Sequence, residues 1–343
     1  MSNRLKGFLF GAYSVIVAGT VLEAFFVLML NAPRLTAASP APVRKLIQQV
    51  YRHFDRKLIQ FDPNCARYDP NLAYTLKPGV CTFENREFST VVSVNRLGVR
   101  DDERSLDAPD VVVVGDSHAM GWGVDQDKTI ARVVARRSGL KVLDAALSSY
   151  GTVREMRMLD RVDTSRMKVL MIQYSDNDMP ENRTFRQDGD HLPIMSEAQY
   201  QNIVRYYLSQ RVYYPGKYLY RLFMKMLRLE EPEPDQVQMV PISPSDEANL
   251  FVYVLVHGSH TPLNGVQVIV FEINEQLNPP RPFIAALERV KHDEANAPFV
   301  QQLATLDTTQ VLTRQDFYSL DDHMNAHGHE LVGEALVKLI RNR

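Results

Sequence analysis

The first group in this sequence that could do chemistry is a serine three residues after an apolar run. Residues 111–114 are four consecutive valines, and they lead into Gly115, Asp116 and Ser117 before a helical pattern begins. A turn of this kind exposes the serine hydroxyl at the carboxyl end of a sheet strand, where open α/β sheets bind ligands. It also directs the Ser117 N–H outward as an oxyanion donor. We therefore predict Ser117 as a nucleophile.

A histidine near the C-terminus supplies the base that such a serine needs. His323 lies on a predicted loop just before the last helix, and Asp321 precedes it by two residues. A carboxylate at this spacing can hold the imidazole in one tautomer while its other nitrogen faces the serine. We predict His323 as general base and Asp321 as the acid that orients it, with Asp322 as second choice.

Acyl transfer also requires donors for the tetrahedral oxyanion. Two segments after strand ends, 148–152 and 175–178, could provide them. We predict the Asn177 side chain as one donor and the backbone N–H of either Ser149 or Gly151 as another. His118 is a candidate substrate contact, although a structural role at the start of a helix explains it equally well.

The histidines and aspartates near the C-terminus also allow a metal-site interpretation. His327 and His329 begin a predicted helix, and no second ligand cluster is apparent, so we predict no metal. The 39 basic and 41 acidic residues give a net charge of -2, which excludes the basic footprint of a nucleic-acid binder. A length of 343 residues with 45% hydrophobic content suits one large domain.

The elements that position these residues follow a βα pattern from residue 111 onward. Near-continuous apolar runs of this type are typical of parallel strands buried on both faces. The predicted strands are 111–114, 141–147, 169–174, 266–273 and 309–312. The predicted helices are 125–138, 153–161, 281–291 and 326–341. The pattern predicts a three-layer α/β/α sandwich with a parallel sheet.

An insertion at about 180–264 interrupts this pattern. It is too long for a plain loop and contains a stretch rich in tyrosine, arginine and lysine. Two interpretations remain open, an amphipathic lid or membrane-surface helix and an ordinary helix pair packed on the core.

The N-terminus is predicted to anchor the chain in a membrane. Residues 7–30 are apolar apart from Glu23 and reach about 36 Å as a helix, enough for a hydrocarbon core of ~30 Å. A cleavable signal peptide is the alternative, with residues 36–38 as its cleavage site. We predict the anchor at 1–30 and a Pro- and Ala-rich linker at 31–42. A helix over 43–58 and a small β cap then complete the segment 43–110.

The only two cysteines, Cys65 and Cys81, fall within this cap. A single disulfide in an oxidising compartment fits the pair, and two free thiols are the alternative. We expect a single-pass protein of a bacterial inner membrane, with its catalytic domain on the periplasmic side.

Taken together, the four chemistry-bearing segments resemble the four blocks of the SGNH (GDSL-like) hydrolase superfamily, over roughly 111–178 and 266–341. The cap is similar to the β segment that precedes the serine in bacterial envelope members. The resemblance implies a flavodoxin-like fold, ester hydrolysis or acyl transfer, and no cofactor. Three positions depart from the family pattern: Ser149 and Ser175 stand where glycines are usual, and the acid precedes His323 by two residues rather than three.

The resulting functional prediction is a serine esterase or O-acyltransferase acting on acyl esters, above all O-acetyl esters, of envelope or exported polysaccharide. One alternative is a lipid-directed esterase or lysophospholipase. Another is a non-catalytic polysaccharide-binding assembly factor. The expected partners are an acylated carbohydrate or lipid and the membrane.

Overall fold

The computed structural model describes residues 3–175, 177–229, 242–274, 282–293 and 295–341. It begins with three helices, α1 (Asn3–Asn31), α2 (Pro33–Ala38) and α3 (Ala41–Phe54). By length and composition, α1 could cross a membrane or act as a signal sequence. The Pro- and Ala-rich segment 31–42, predicted as a linker, contains helix α2 over six of its twelve residues. Proline is compatible with the first turn of a helix, and the Thr36 hydroxyl donates to the Met29 carbonyl at 2.7 Å, which ties α2 to α1.

The C-terminal end of α1 is part of a small hydrophobic core, which we call the anchor cluster. It joins α1, α3, one later helix and the loop before His323. Its buried members are Phe26, Met29, Leu30, Ile47, Val50, Tyr51, Phe54, Tyr218 and Leu320. The apolar N-terminal helix is therefore packed into the folded chain at its C-terminal end.

The predicted β cap consists of two separate antiparallel hairpins. The first pairs β1 (Ala66–Asp69) with β2 (Ala73–Leu76), and the second pairs β3 (Gly79–Glu84) with β4 (Ser89–Val94). The predicted disulfide is present: Cys65 and Cys81 are bonded, with their Cα atoms 5.5 Å apart. Because Cys65 precedes β1 and Cys81 lies on β3, the bond joins the two hairpins.

A five-stranded, fully parallel sheet forms the centre of the larger part of the chain. Its spatial order is β6-β5-β7-β8-β9. In chain order the strands are β5 (Val111–Val114), β6 (Val142–Asp144), β7 (Val169–Tyr174), β8 (Gln267–Glu272) and β9 (Ala304–Asp307). The side chains of β5, β6, β7 and β8 are all buried, as expected for strands covered on both faces. This strand order is the flavodoxin-like one, so the predicted fold class is confirmed.

Two groups of helices cover the sheet. After α4 (Ser117–Met120), the helix α5 (Ile130–Ser138) packs against the last helix, α13. The second group is α6, α7, α10 and α11, which pack against one another. The bounds of the remaining helices are α6 (Thr152–Leu159), α7 (Asp178–Gln187), α8 (Glu197–Gln210), α9 (Lys217–Met226), α10 (Pro244–His257), α11 (Phe283–Val290), α12 (Pro298–Gln301) and α13 (Ala326–Arg341).

The predicted fifth strand at 309–312 is wrong. Residues Thr308–Gln310 form a 3₁₀ turn, and the strand is β9, just before it. All four side chains of β9 are only half-buried because it is an edge strand, so it lacks the apolar run that marks the others. Leu312 is nevertheless buried, which explains why an apolar pair there resembled a strand.

The insertion contains helices with different surroundings. Buried residues of α8 (Tyr200, Ile203 and Val204) join the main core, and α10 packs among the covering helices. In contrast, α9 packs against α1 and α3.

Candidate active site

Ser117 is the first residue of α4, immediately after β5 and the turn at Gly115. The turn requires glycine, because a Cβ at residue 115 would lie 2.7 Å from the Cβ of Ala119 and 2.8 Å from that of Gln173. The Asp116 carboxylate accepts the His118 N–H at 2.8 Å and so caps α4. At this position the Ser117 N–H has no acceptor within its own helix, which leaves it suited to an anionic oxygen.

The structure brings Ser117, His323 and Asp321 into one hydrogen-bonded chain. His323 Nε2 lies 2.7 Å from Ser117 Oγ, and His323 Nδ1 lies 2.5 Å from Asp321 Oδ1. Asp322 Oδ1 is also close to Nδ1, at 3.0 Å. All of these side chains are buried or nearly so. The arrangement can remove the serine proton and carry the resulting charge on an imidazolium paired with a carboxylate.

Two opposing effects act on the imidazole. Burial lowers the pKa of His323, but the charges of and hydrogen bonds to Asp321 and Asp322 outweigh it and raise this pKa to about 9. Arg56 Nη1 lies 2.9 Å from Asp322 Oδ1 and offsets part of the second carboxylate's charge. Asp321 thus has the closer and more direct contact with His323.

Three residues that we did not predict position Asp321. The Tyr51 hydroxyl, on α3, donates to Asp321 Oδ2 at 2.8 Å, and Trp122 Nε1 lies 3.3 Å from the same oxygen. Glu87, in the second hairpin, accepts the backbone N–H groups of the loop before His323. These three donors are Ser319, Leu320 and Asp321, at 2.7 to 2.8 Å. Single polar or aromatic residues far away in the sequence give no pattern from which such contacts can be predicted.

Two rings pack against the imidazole of His323. Trp122 stacks on it, with centroids 4.7 Å apart and planes 16° apart, and the tilted ring of His118 has its centroid 4.7 Å away. Burial and nearby His323 lower the pKa of His118 to about 4, so its ring is neutral at pH 7. The stacking restricts rotation of the His323 ring, which keeps Nε2 directed at Ser117.

Two of the three predicted oxyanion donors other than Ser117 line the cleft that contains this serine. Asn177 and Ser149 line the same cleft as Ser117. Gly151 is not among the residues that line it. It precedes α6 and lies against Glu181, whose Cδ would be 2.9 Å from a Cβ at residue 151. Of the two backbone alternatives, the structure therefore places only Ser149 at the cleft.

Both serines that replace family glycines make side-chain contacts. Ser149 has a left-handed backbone (φ +58°), and its Oγ accepts a hydrogen bond from Gln60 at 2.9 Å. The Ser175 hydroxyl lies 2.7 Å from Asp116 Oδ2 and also contacts Asn177 Oδ1. The Ser175 hydroxyl therefore links the turn before Ser117 to the Asn177 amide.

The cleft above Ser117 has a volume of about 310 Å³. Most of the residues that line it are polar or charged, and Arg56 and Leu58 reach it from the N-terminal part of the chain. The lining residues are Arg56, Leu58, Asp116, Ser117, His118, Trp122, Ser148, Ser149, Ser175, Asn177, Asn274 and His323.

Within the described part of the chain, Asp321, Asp322 and His323 are also the group whose spacing could hold a metal ion. Their surroundings are those of a proton-transfer chain instead. Tyr51 and Trp122 donate to Asp321, Arg56 pairs with Asp322, and Ser117 contacts His323. A cationic guanidinium beside a carboxylate competes with a cation at that carboxylate.

Comparison with known proteins finds distant structural likenesses. No protein-family model and no curated protein matches the sequence. One solved structure, of a carbohydrate esterase whose active site is described as having divergent catalytic and non-catalytic binding functions, aligns at 10% identity with a TM-score of 0.42, covering 81% of this chain and 86% of that one.

Two further likenesses come from named bacteria. An acetyl xylan esterase from Butyrivibrio proteoclasticus aligns at 10% identity and TM-score 0.35, covering 68% of this chain and 63% of its own. A protein described as lipolytic and of the G-D-S-L family, from Desulfitobacterium hafniense, aligns at 12% identity and TM-score 0.35, covering 67% and 98%. The chemistry proposed below follows from the residues of the site itself.

Proposed function

We propose that the protein is a serine esterase or O-acyltransferase of the SGNH type, with Ser117 as nucleophile, His323 as general base and Asp321 as its orienting acid. The observation that carries this proposal is the continuous hydrogen-bonded chain from Ser117 Oγ through His323 to Asp321 at the base of a polar cleft. A buried serine, histidine and aspartate in this order form a proton relay suited to acyl transfer.

The reaction proceeds through an acyl-enzyme. Ser117 Oγ attacks the ester carbonyl while its proton passes to His323 Nε2. The oxyanion accepts hydrogen bonds from the Ser117 and Ser149 N–H groups and the Asn177 amide. The C–O bond to the alcohol then breaks, and His323 returns the proton to the leaving oxygen. Water or a sugar hydroxyl next attacks the acyl-serine and gives its proton to His323. The bond between the acyl carbon and Ser117 Oγ then breaks, and His323 returns the proton to Ser117 Oγ.

The proposed substrate class is an O-acetylated carbohydrate. The cleft is small and carries several hydroxyl and amide groups, which match sugar hydroxyls better than a long acyl chain. A disulfide between Cys65 and Cys81 supports placement of the domain in an oxidising compartment, and α1 supports an inner-membrane anchor with the domain on the periplasmic side.

Activity of the full chain in detergent tests this proposal, because the anchor cluster places part of α1 beside Leu320 and hence next to Asp321. We expect turnover of p-nitrophenyl acetate by the wild type and background rates for Ser117→Ala and His323→Ala. Covalent labelling of Ser117 by a fluorophosphonate, absent in Ser117→Ala, provides a readout that does not depend on the acceptor. A wild type that neither turns over nor labels would favour a binding role.

A lipid-directed esterase is the second candidate, favoured by the exposed apolar side chains of α9. The preferred length of the acyl group in the ester distinguishes the two candidate functions. An acetyl-ester enzyme should lose activity steeply from p-nitrophenyl acetate to the decanoate, whereas a lipid-directed enzyme should prefer the longer ester.

A further inference from the structure

Helix α1 divides into two parts with different surroundings. Over residues 3–22 the side chains are exposed or half-buried and none is buried. At 1.5 Å per residue this part is about 30 Å long, the thickness of one hydrocarbon core. Glu23 is the first buried residue of α1, and from there the helix packs against the anchor cluster. The lipid-facing part of α1 therefore ends at Glu23.

Glu23 is fully engaged at this boundary by the start of α9. Its Oε1 accepts the Tyr218 N–H and the Tyr213 hydroxyl, both at 3.3 Å, and its Oε2 accepts the Leu219 N–H at 3.2 Å. A carboxylate is favourable at a helix N-terminus, where N–H groups lack partners in the helix. A charged side chain within an apolar helix is costly unless it is hydrogen-bonded in this way. Glu23 thus joins α9 to α1 at one defined height.

Helix α9 has two apolar sides. Tyr218, Leu219 and Leu222 belong to or pack against the anchor cluster. Tyr220, Phe223 and Leu227 are spaced by three and four residues, so they share another side of the helix. Tyr220 and Phe223 are each 53% exposed. The other apolar side of α9 is already packed against the anchor cluster. An exposed apolar stripe on such a helix is typical of a helix lying at a membrane interface.

The surroundings of the stripe match the polar boundary of a bilayer. Tyr213 and Tyr214 are exposed just before α9, the Tyr213 hydroxyl contacts Glu23, and tyrosine is enriched where membrane meets water. Arg228, directly after Leu227, is also exposed and carries a charge suited to phosphate headgroups. The packed side of α9 also contacts α1 above Glu23, since Leu219 Cδ1 would lie 3.8 Å from a Cβ at Gly19.

We propose that α9 is a membrane-surface helix, held by Glu23 at the height where α1 leaves the bilayer, with Tyr220, Phe223 and Leu227 in contact with phospholipid. This inference rests on the membrane anchor of the proposed function. Because Leu320 packs in the same cluster as α1 and α9, the loop that carries Asp321 is held at a constant orientation to the bilayer.

Lipid-based fluorescence quenching tests the proposal without an activity assay. The two native cysteines are disulfide-bonded, so a single new cysteine can be labelled with an environment-sensitive fluorophore. Phe223→Cys reports on the stripe. Val256→Cys is the matched control, because Val256 is an apolar residue on α10 with 43% exposure and no part in the stripe. Full-length labelled protein is reconstituted into phosphatidylcholine–phosphatidylglycerol vesicles that contain shallow nitroxide lipids.

We expect nitroxide lipids to quench the residue-223 probe several-fold more than the residue-256 probe, and aqueous iodide to show the reverse order. Equal lipid quenching of both probes would overturn the proposal. Shielding of residue 223 from both lipid and iodide would also overturn it, and would assign the stripe to a protein contact such as a second copy of the chain. Protein that turns over ester but does not float with vesicles would reject the anchor while leaving the catalytic proposal intact.

Substitution of Glu23 tests whether its hydrogen bonds determine the position of α9. In the Phe223→Cys background, Glu23→Leu removes all three acceptor contacts and should abolish the excess lipid quenching. Glu23→Gln keeps one oxygen acceptor and should retain part of it. Unchanged quenching in Glu23→Leu would show that Glu23 does not set the position of α9.

Discussion

Tyr51 of α3 donates its phenolic hydrogen to Asp321 Oδ2 at 2.8 Å, and its ring lies in the same hydrophobic cluster as Phe26 and Leu30 of α1. One side chain therefore connects the apolar N-terminal helix to the acid of the proposed triad. Burial, first of all, and the Asp321 charge hold the pKa of Tyr51 above its ordinary range, so the hydroxyl stays protonated and remains a donor.

Tyr51→Phe should lower kcat with little change in KM. The substitution removes one donor from a buried carboxylate, and a hydrogen bond to a charged group contributes about 1.5–3 kcal/mol. Tyr218→Phe is the matched control, because its hydroxyl contacts Asp55 rather than the site, in the same cluster. Steady-state kinetics on p-nitrophenyl acetate decide the matter, and equal rates for the two variants would contradict a positioning role.

Leu30→Ala should destabilise the folded domain even though Leu30 belongs to an apolar N-terminal helix. Leu30 is 0% exposed, and truncation of a buried leucine costs about 2–5 kcal/mol. Leu28→Ala, at a position with 56% exposure on the same helix, should have little effect on unfolding in detergent. Thermal unfolding followed by circular dichroism distinguishes the two. Equal melting temperatures would mean that the end of α1 does not stabilise the domain.

The rate of ester hydrolysis should rise with pH up to the alkaline range. His323 acts as a base only when neutral, and its pKa is raised from 6.5 to about 9 by the carboxylates despite burial. Asp322→Asn removes one of these carboxylates and should move the midpoint of the kcat/KM profile to lower pH. Profiles with the same midpoint in both proteins would argue against a contribution from Asp322.

The same raised pKa has a consequence for stability. A folded-state pKa above the unfolded value means that the protonated imidazole stabilises the folded state. This contribution is fully present below about pH 6.5 and is lost as pH rises through about 9. Urea unfolding of wild type and His323→Gln across this range measures it: the free-energy difference between the two should shrink as pH increases.

Glu87→Gln should impair the site from a distance. The two carboxylate oxygens of Glu87 accept three backbone N–H groups, and an amide would turn an NH₂ toward at least one of them. A buried N–H left without an acceptor costs about 1–3 kcal/mol. Glu84→Gln is the control from the same hairpin, since Glu84 is exposed and forms an ion pair with Lys57. We expect a lower kcat and a lower melting temperature for Glu87→Gln and neither change for Glu84→Gln.

Asn177→Ala should reduce kcat by about 10²–10³-fold, the usual effect of removing one oxyanion donor. Ser149→Ala should have a much smaller effect, because the backbone N–H that we assign to the oxyanion is retained. Single-turnover acylation rates compare the two directly. Comparable losses would show that the Ser149 hydroxyl contributes beyond its contact with Gln60.

Local sequence patterns were sufficient to predict several structural features of this protein. As a strand, the valine run at 111–114 would present apolar side chains to both faces of a sheet. It therefore predicts a buried parallel strand. The glycine before Asp116 and Ser117 predicts the sharp turn that exposes the hydroxyl. The spacing of Asp321 and His323 on one loop allows their contact without reference to any other element. Two cysteines sixteen positions apart in a β cap likewise predict their own bond.

Other features depended on contacts between distant residues. Nothing local distinguishes Tyr51, Glu87 or Trp122 from ordinary core or surface residues, because their partners lie on the loop before His323. The edge strand β9 escaped the pattern because half-burial removes the apolar signal, and only the fold shows that Ser149 lines the cleft while Gly151 lies against Glu181. The sequence alone therefore predicted most of the elements and the residues to which we assign the chemistry. Only the tertiary structure decided which side chains orient them, because hydrogen bonds and packing across the fold depend on position in space rather than on spacing along the chain.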